Sequence, residues 1–180
     1  MAENWQLDQF LASIQNRAFV TARLATGNAD EALDIVQDSM LKLVKSYANY
    51  PQAEWPALFQ RVLQNTIRDW YRRQKVRRIL FWWQQQDAAD DQAELIEPGE
   101  NGTTPMDALI NGEINAQVEV ALRHLPERQR QAFLLRAWWE HSTEETAAIM
   151  GCSTGSVKTH YSRALKALQL QLDNLAVSAS

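Results

Sequence analysis

The sequence predicts an all-α protein made of two small helical domains joined by a flexible acidic linker. Glycine and proline are scarce, at six and five of 180 residues, and no stretch alternates polar and apolar residues as a strand would. Apolar residues instead recur at three- and four-residue spacing over most of the chain. A polar, acid-rich stretch interrupts this pattern at 84–104, so we expect domains at 1–83 and 105–180.

Composition excludes several classes of protein. No apolar run approaches the roughly 18 residues that a membrane helix needs, and the first residues lack the pattern of a signal peptide. The single cysteine, Cys152, cannot form an internal disulfide, which fits a reducing compartment. We therefore expect a cytoplasmic protein without membrane insertion, in which Cys152 acts as a small buried hydrophobe and not as a redox sensor.

The polar residues show no pattern of a catalytic centre. His124, His141 and His160, together with one cysteine, have no metal-ligand spacing. The sequence thus predicts no enzyme, no metal and no cofactor.

Charge is distributed unevenly along the chain. The net charge is −4, yet no Lys or Arg occurs between Gln84 and Leu122, where nine acids lie. The rest of the chain is therefore net basic. The sequence thus consists of two mildly basic ends joined by an acidic middle.

The first domain begins with an amphipathic helix over 6–26, closed by Gly27. Asn28, with Glu31 three residues on, makes a capping-box-like start for the next helix. The apolar stripe of that helix comprises Leu33, Val36, Met40, Leu43 and Tyr47. Asn49–Gln52 is predicted to be a turn, because Pro51 disfavours helix at the residue before it.

A third helix is predicted from near Glu54 to about Arg78, with two distinct faces. Its packed side contains Trp55, Phe59, Val62, Leu63, Thr66 and Trp70. Its other stripe, at spacings of four, three, four and three, contains Arg61, Asn65, Arg68, Arg72 and Lys75. Such a stripe can be an ordinary solvated face, but near-uniform positive charge beside tryptophans favours a surface that tracks phosphates.

The aromatic run Phe81-Trp82-Trp83 has two interpretations that the sequence leaves open. These side chains can close the core of the first domain, or they can form an exposed site for a partner. The linker that follows, rich in acids and containing Pro98-Gly99, precedes helical spacing that resumes near Pro105. Pro126 begins a further helix, in which Ala132, Phe133, Leu135 and Trp139 pack.

The chain then contains two helices joined by a tight turn, over Glu140–Leu172. Ser142 and Glu145 form a capping box, Gly151 ends the first helix, and Ser153 caps the second. Val157, Tyr161, Ala164 and Leu168 form the buried stripe of the second helix. The other faces present Ser156, Lys158, Thr159, Ser162 and Arg163. A plain helical hairpin is one interpretation, but short donors and cations on an exposed helix favour major-groove DNA reading.

These features together resemble the extracytoplasmic-function group of bacterial RNA polymerase sigma factors, which keeps only regions 2 and 4. Ala32–Met40 resembles the A-x-D-x-x-Q-[DE]-x-F stretch of region 2, and Leu58–Arg72 resembles its W-L-x-x-I-A-x-N-x-x-x-D-x-x-R stretch. Leu125–Arg130 resembles the L-P-x-x-x-R opening of region 4, and Thr143–Ala164 its helix-turn-helix. The resemblance covers nearly the whole chain outside the linker.

The resemblance implies a role for particular residues in promoter-specific initiation without catalysis. It implies docking on the β′ clamp helices and the β flap of core RNA polymerase, the former through Asp34, Gln37, Asp38, Met40 and Leu41. At the −10 element, it implies that Tyr50 and Asn65 form the pocket for a flipped base. It implies that the same element is also bound by Arg61, Arg68, Arg72 and Lys75. It implies −35 reading by Ser156, Lys158, Thr159, Ser162 and Arg163. An anti-sigma factor is a common further partner in this group.

Some residues depart from the family pattern. Four of the departures are mostly neutral or packing changes: Leu33, Leu58, Leu63 and Thr146. The fifth, His160, stands where arginine is common, and it affects −35 specificity because histidine is largely uncharged near neutral pH. The acidic linker either mimics nucleic acid in the polymerase cleft or acts as a tether, and the sequence does not decide between them. A stand-alone helix-turn-helix regulator is the alternative function, but it leaves residues 32–78 unexplained.

Overall fold

Helices account for nearly all of the residues that the computed structural model describes, 2–86 and 116–178, and these residues contain no strand. The helices are α1 (Ala2–Thr26), α2 (Ala29–Tyr47), α3 (Trp55–Gln86), α4 (Ala116–His124), α5 (Glu127–Phe133), α6 (Thr143–Met150) and α7 (Thr154–Ser178). The predicted all-α class is confirmed. Most of the predicted acidic linker, and the predicted start of the second domain at 105, lie outside the described residues.

The junction between α1 and α2 forms as the sequence predicts. Gly27 adopts a left-handed conformation, with φ 72°, and the Asn28 side chain accepts a hydrogen bond of 3.0 Å from the Glu31 backbone N–H. The Glu31 carboxylate accepts a 2.8 Å hydrogen bond from the Trp70 indole. Glu31 therefore ties α2 to α3 as well as taking part in the cap.

Helix α3 has the predicted packed face but is longer than predicted. Trp55, Phe59, Leu63 and Thr66 are buried, and Val62 and Trp70 are half-buried. The helix continues through Gln86, so the predicted end near Arg78 was wrong. No glycine or proline follows Pro56 within it, and Leu, Arg and Gln are good helix formers. Phe81 and Trp83 are more than half exposed, so they do not close the core.

The second half begins with α4 and α5, and α5 follows Pro126 as predicted. Ala132 and Leu135 are buried, while Phe133 and Trp139 are half-buried. Leu134–Trp138 is a π-helical segment, and Glu140 beyond it has a φ of 58°. The sequence contains no signal that predicted this segment.

The helix pair α6 and α7 is bounded by the predicted caps. The full capping box between Ser142 and Glu145 is present, and Gly151 has a φ of 63°. Ser153 Oγ accepts from the Ser156 backbone N–H at 3.1 Å. The Arg128 guanidinium donates twice to the Met150 carbonyl, at 3.1 Å each, where the negative end of the α6 dipole lies.

Buried side chains of the two halves form one continuous cluster. It includes Phe59 and Leu63 of α3 together with Leu122, Leu134 and Leu168 of the second half. A second, smaller cluster lies within the second half around Leu135, Met150 and Val157. In the described part of the chain, no helix is long and apolar enough to span a membrane.

Candidate nucleic-acid interface

The basic stripe of α3 lies largely on the surface, as its spacing predicts. Arg61, Asn65, Arg72 and Lys75 are exposed, and Arg68 is half-buried. The Arg72 guanidinium lies 3.7 Å from the exposed Asp69 carboxylate, and an exposed pair of this kind contributes little stability. Arg72 is thus available to a stronger anionic partner.

Three members of this stripe line one groove. Arg61, Asn65 and Arg68 face Arg128 and the α6 end at Met150 and Gly151 across a groove of about 650 Å³. The structure therefore brings the first three members of the basic stripe opposite the second half of the chain. Arg72 and Lys75 lie further along α3 and do not line the groove.

Tyr50 lies in the turn between α2 and α3 and does not line the groove either. Its side chain is 46% exposed, and its ring packs edge-on against Tyr47 at a centroid distance of 5.3 Å. The Tyr50 backbone N–H donates to the Tyr47 carbonyl at 3.0 Å. An exposed aromatic ring held by its neighbour is suited to stacking on an unpaired base.

The outer face of α7 carries the other predicted set. Lys158, Thr159, Ser162 and Arg163 are exposed, and Ser156 is half-buried. Val157, Ala164 and Leu168 are buried and Tyr161 is half-buried, so the predicted stripe is confirmed. Ser156 Oγ and Ser153 Oγ lie 3.0 Å apart, and the Thr159 hydroxyl donates to the Gly155 carbonyl at 3.0 Å. Ser162 and the two cations have the most freedom to contact DNA.

His160 and Lys166 complete the description of this helix. His160 is half-buried, and its Nδ1 is buried without a hydrogen-bond partner in the described structure, so it lies beside the packed stripe. Lys166 is exposed and follows Ser162 by four residues and Arg163 by three, on the same face. Sequence reasoning missed Lys166, although this spacing was a sufficient signal.

The third predicted set lies on α2. Asp34, Gln37, Asp38 and Leu41 are exposed, and Met40 is half-buried against the core. Asp38 pairs with Lys42 at 2.7 Å. Val44, three residues beyond Leu41, is also an exposed hydrophobe, and the prediction had not included it. Two adjacent exposed hydrophobes flanked by acids form a surface suited to a protein partner.

Acids of α2 and bases of α3 share a second groove. Asp34 and Asp38 line it from α2, and Arg73 and Arg77 line it from α3. The acidic α2 face and the basic part of α3 are therefore neighbours, with opposite charge.

Two titratable groups near these faces are perturbed. Burial raises the pKa of Tyr71, and the Arg130 guanidinium partly opposes that effect. Burial lowers the pKa of His141, while the Glu145 carboxylate, 3.6 Å from its Nδ1, opposes the shift.

Metal binding has no support within residues 2–86 and 116–178, where no group of three or more His, Cys, Asp or Glu side chains is placed to hold an ion. The exposed faces described above offer charge, hydrogen-bonding groups and an aromatic ring.

Comparison with known families agrees with this geometry. Residues 12–77 match the model of sigma-70 region 2, and residues 115–168 match the model of sigma-70 region 4. The ECF RNA polymerase sigma factor EcfG of Rhodopseudomonas palustris is 30% identical over 92% of this chain and 83% of its own length. This chain belongs to the sigma-70 family, as an extracytoplasmic-function sigma factor.

Other relatives extend the same result. RNA polymerase sigma factor SigV of Bacillus subtilis is 31% identical over 81% of this chain and 78% of its own. The Bartonella quintana sigma factor RpoE, solved in complex with the anti-sigma factor NepR, has a TM-score of 0.62 at 26% identity, covering 92% of this chain and 96% of that one. The protein is thus a sigma factor that directs promoter-specific transcription initiation.

Within this sigma factor, the three exposed faces fall in the matched regions. The α2 face and the basic stripe of α3 lie in region 2, and the outer face of α7 lies in region 4.

Proposed function

We propose that this sigma factor divides promoter recognition among its three exposed faces. Helix α2 docks on core RNA polymerase, α3 with the Tyr50 turn binds the −10 element, and α7 reads the −35 element. The observation that carries the proposal is the separation of one acidic, apolar face and two basic faces on helices of regions 2 and 4.

At the −10 element, the residues have different tasks. Tyr50 and Asn65 hold a flipped base by stacking and by hydrogen bonds to its edge, which offset a flipping cost of a few kcal/mol. Arg61, Arg68, Arg72 and Lys75 hold backbone phosphates. Exposure of Tyr50 and Asn65 supports the first task, and the positive stripe supports the second.

At the −35 element, α7 enters the major groove. Ser162 and Arg163 contact base edges, Lys158 contacts backbone phosphate, and Thr159 and Ser156 contribute mixed phosphate and base contacts. The exposed positions of four of these five side chains support this assignment.

Docking on polymerase uses α2. Asp34, Gln37 and Asp38 bind the β′ clamp helices, and Met40 and Leu41 supply apolar contact. The second half binds the β flap. Acidic and apolar exposure on one helix supports an interface with a basic partner surface.

The proposed domain organisation follows from these tasks. Residues 1–83 form the region 2 domain, 84–104 the acidic linker and 105–180 the region 4 domain. The protein has no catalytic role of its own and acts in the cytoplasm, where polymerase and promoter DNA are found.

An anti-sigma factor is the proposed negative partner. The similar RpoE structure is described as a complex with the anti-sigma factor NepR. We infer that a protein of this kind binds the present sigma factor and blocks its access to polymerase.

Run-off transcription with core polymerase tests the function and the site together. The protein should give promoter-dependent transcripts, and Asn65→Ala should reduce them at least tenfold. Asn16→Ala is the matched control, because Asn16 is an exposed asparagine on α1, outside the three proposed faces.

The results distinguish the proposed role of Asn65 from the proposed function of the whole protein. Equal transcription by both variants would remove Asn65 from the site. A protein that binds promoter duplex tightly without polymerase, and adds no transcript, would instead be a stand-alone helix-turn-helix regulator.

A further inference from the structure

The last turns of α3 are exposed to solvent on every side that the structure describes. All described side chains from Lys75 to Trp83 are exposed, among them Ile79 at 47% and Trp83 at 73%. The match to sigma-70 region 2 ends at residue 77, so Ile79 and Trp83 lie beyond it. Large apolar side chains that are exposed close together indicate an interaction surface.

Ile79 and Trp83 continue the basic stripe of α3. The spacing of four, three, four and three that links Arg61 to Lys75 is followed by two further steps of four, to Ile79 and then to Trp83. Side chains at such spacing lie above one another on one face of a helix. The face that contains Asn65 therefore changes along its length from cationic to apolar and aromatic.

The charge around this face favours an anionic partner. Residues 70–86 contain five cations and no acid, and two of the cations, Arg72 and Lys75, lie on the stripe directly before Ile79. Phosphates neutralise such cations. A phosphate offers nothing to Ile79 or to the indole of Trp83, however, and the flat face of a paired base is covered within a duplex. An unpaired strand presents both phosphates and free base faces, so it matches the whole stripe.

The length of α3 sets how far such a strand must extend. The helix is continuous from Trp55 to Gln86. At 1.5 Å per residue, Trp83 lies about 27 Å from Asn65 along the helix axis. A stacked strand covers that distance with about eight nucleotides, and an extended strand covers it with fewer. A strand that places one base at Asn65 can therefore place a later or earlier base at Trp83.

We propose that Trp83 is a second base-stacking position, which binds an unpaired base of the promoter strand held by α3. Arg72 and Lys75 bind the phosphates that lead to it, and Ile79 packs against the sugar between them. The inference rests on the assignment of α3 to the −10 element. Stacking on an indole tolerates every base, so Trp83 adds affinity for the melted strand without adding sequence preference.

Binding of the full-length protein to a labelled single strand tests the proposal. The probe is a thymidine oligonucleotide of about 12 nucleotides, and the readout is fluorescence anisotropy. Trp83→Ala should weaken binding at least about fivefold, whereas Trp83→Phe should keep most of the affinity because a phenyl ring also stacks. Phe81→Ala is the matched control and should bind like the unmodified protein. Phe81 is 51% exposed, only two residues earlier, but it lies on the opposite side of α3.

Two further probes distinguish other partners for this surface. Trp83→Ala should leave binding to a duplex of the same length unchanged, because paired bases offer no free face. Vesicles of phosphatidylglycerol and phosphatidylcholine in equal parts test for a membrane partner. Vesicle binding that depends on Trp83, without oligonucleotide binding that depends on it, would overturn the proposal in favour of a lipid surface.

The stacking position would also be overturned by undiminished oligonucleotide binding in Trp83→Ala, by an equal loss in Phe81→Ala, or by no binding of the unmodified protein at low salt. Run-off transcription by the unmodified protein keeps this inference separate from the proposed function. Promoter-dependent transcripts combined with any of these results would remove Trp83 alone. Absence of transcripts on every promoter would instead count against the proposed function.

Discussion

The Arg130 guanidinium donates a hydrogen bond to the Tyr71 hydroxyl, and that hydroxyl donates to the Ala25 carbonyl at 2.9 Å. One phenol thus connects α5 of the second half to α3 and to the end of α1. Arg130 is itself buried and also donates to the Arg123 carbonyl at 3.2 Å. The link matters because it lies where the two halves meet.

Replacing Tyr71 by phenylalanine should loosen this junction. The change removes two hydrogen bonds and leaves a buried cation with fewer acceptors, which should cost about 1–3 kcal/mol in the free energy of unfolding. Urea unfolding measures the cost, and small-angle scattering should show a larger radius of gyration. Ser13→Ala, which removes an exposed hydroxyl bonded within α1, is the control and should change neither quantity. Unchanged scattering and stability in Tyr71→Phe would contradict the role of this bond.

Alanine substitutions at two glycines can separate the cost of backbone strain from the cost of a steric contact between the two halves of the chain. Gly27 and Gly151 both have left-handed backbones, with φ of 72° and 63°. A Cβ on Gly151 meets nothing within 4 Å, whereas a Cβ on Gly27 would clash with the Arg123 guanidinium from the second half. Gly151→Ala should therefore cost about 1–2 kcal/mol from backbone strain alone. Gly27→Ala should cost the same strain plus a smaller cost, since the flexible end of the Arg123 side chain must move aside.

Chemical denaturation of four variants checks this comparison. Adding Arg123→Ala to Gly27→Ala should recover the excess cost, after correction for Arg123→Ala alone. Equal destabilisation by the two glycine substitutions would mean that Arg123 does not press on Gly27 in solution.

The sequence predicted the local features of the fold better than its long-range ones. Caps at Asn28, Ser142 and Ser153, and the left-handed ends at Gly27 and Gly151, are formed by residues within a few positions of each other, so their chemistry is visible in the sequence. The end of α3 was misplaced because charge and aromatic content suggested a boundary, although no residue there breaks a helix. The π-helical segment at 134–138 depends on packing, and nothing in its sequence distinguishes it.

The candidate site was predictable to the extent that it depends on helical spacing. The faces of α3 and α7 follow from the spacing of residues three and four apart. Lys166 was missed because that spacing was not followed beyond Arg163. The opposition of Asn65 and Arg128 across a groove depends on how two distant helices pack. Spacing within one helix carries no information on that arrangement.

Leu41 on α2 should be required for polymerase docking. Its side chain is 56% exposed, so Leu41→Asp should leave the fold intact while it places a charge in an apolar contact. Affinity for core polymerase should fall at least tenfold, or about 1.4 kcal/mol. Leu80→Asp is the matched control, because Leu80 is 57% exposed on α3, which is assigned to DNA and not to polymerase. Fluorescence anisotropy of labelled protein with core polymerase gives both values, and equal affinities would remove Leu41 from the interface.

Cations of α7 should divide into base-reading and phosphate-binding residues. Arg163→Ala should reduce holoenzyme binding to the preferred −35 sequence by about 1–3 kcal/mol and relax discrimination among sequences. Lys158→Ala should weaken binding to all sequences alike. It should also reduce the slope of log affinity against log salt concentration by about one. Lys158→Arg keeps the charge and should keep the slope. Holoenzyme binding to matched and mutated −35 duplexes, measured over a series of salt concentrations, checks both substitutions. If only Lys158→Ala lost discrimination among sequences, Lys158 would be the base-reading residue and Arg163 the phosphate-binding one.

His141 should make the stability of the second half depend on pH. Burial lowers its pKa below the ordinary value near 6.5, with Glu145 opposing, so the unfolded chain binds the proton more readily than the folded one. Stability should therefore fall as pH falls through 6.5 towards the folded pKa, by at most about 1.4 kcal/mol for each unit of pKa difference. His141→Gln cannot titrate and should show a flatter profile between pH 7.5 and 5. Urea unfolding at several pH values in this range compares the two proteins, and parallel profiles would show that His141 is not the titrating group.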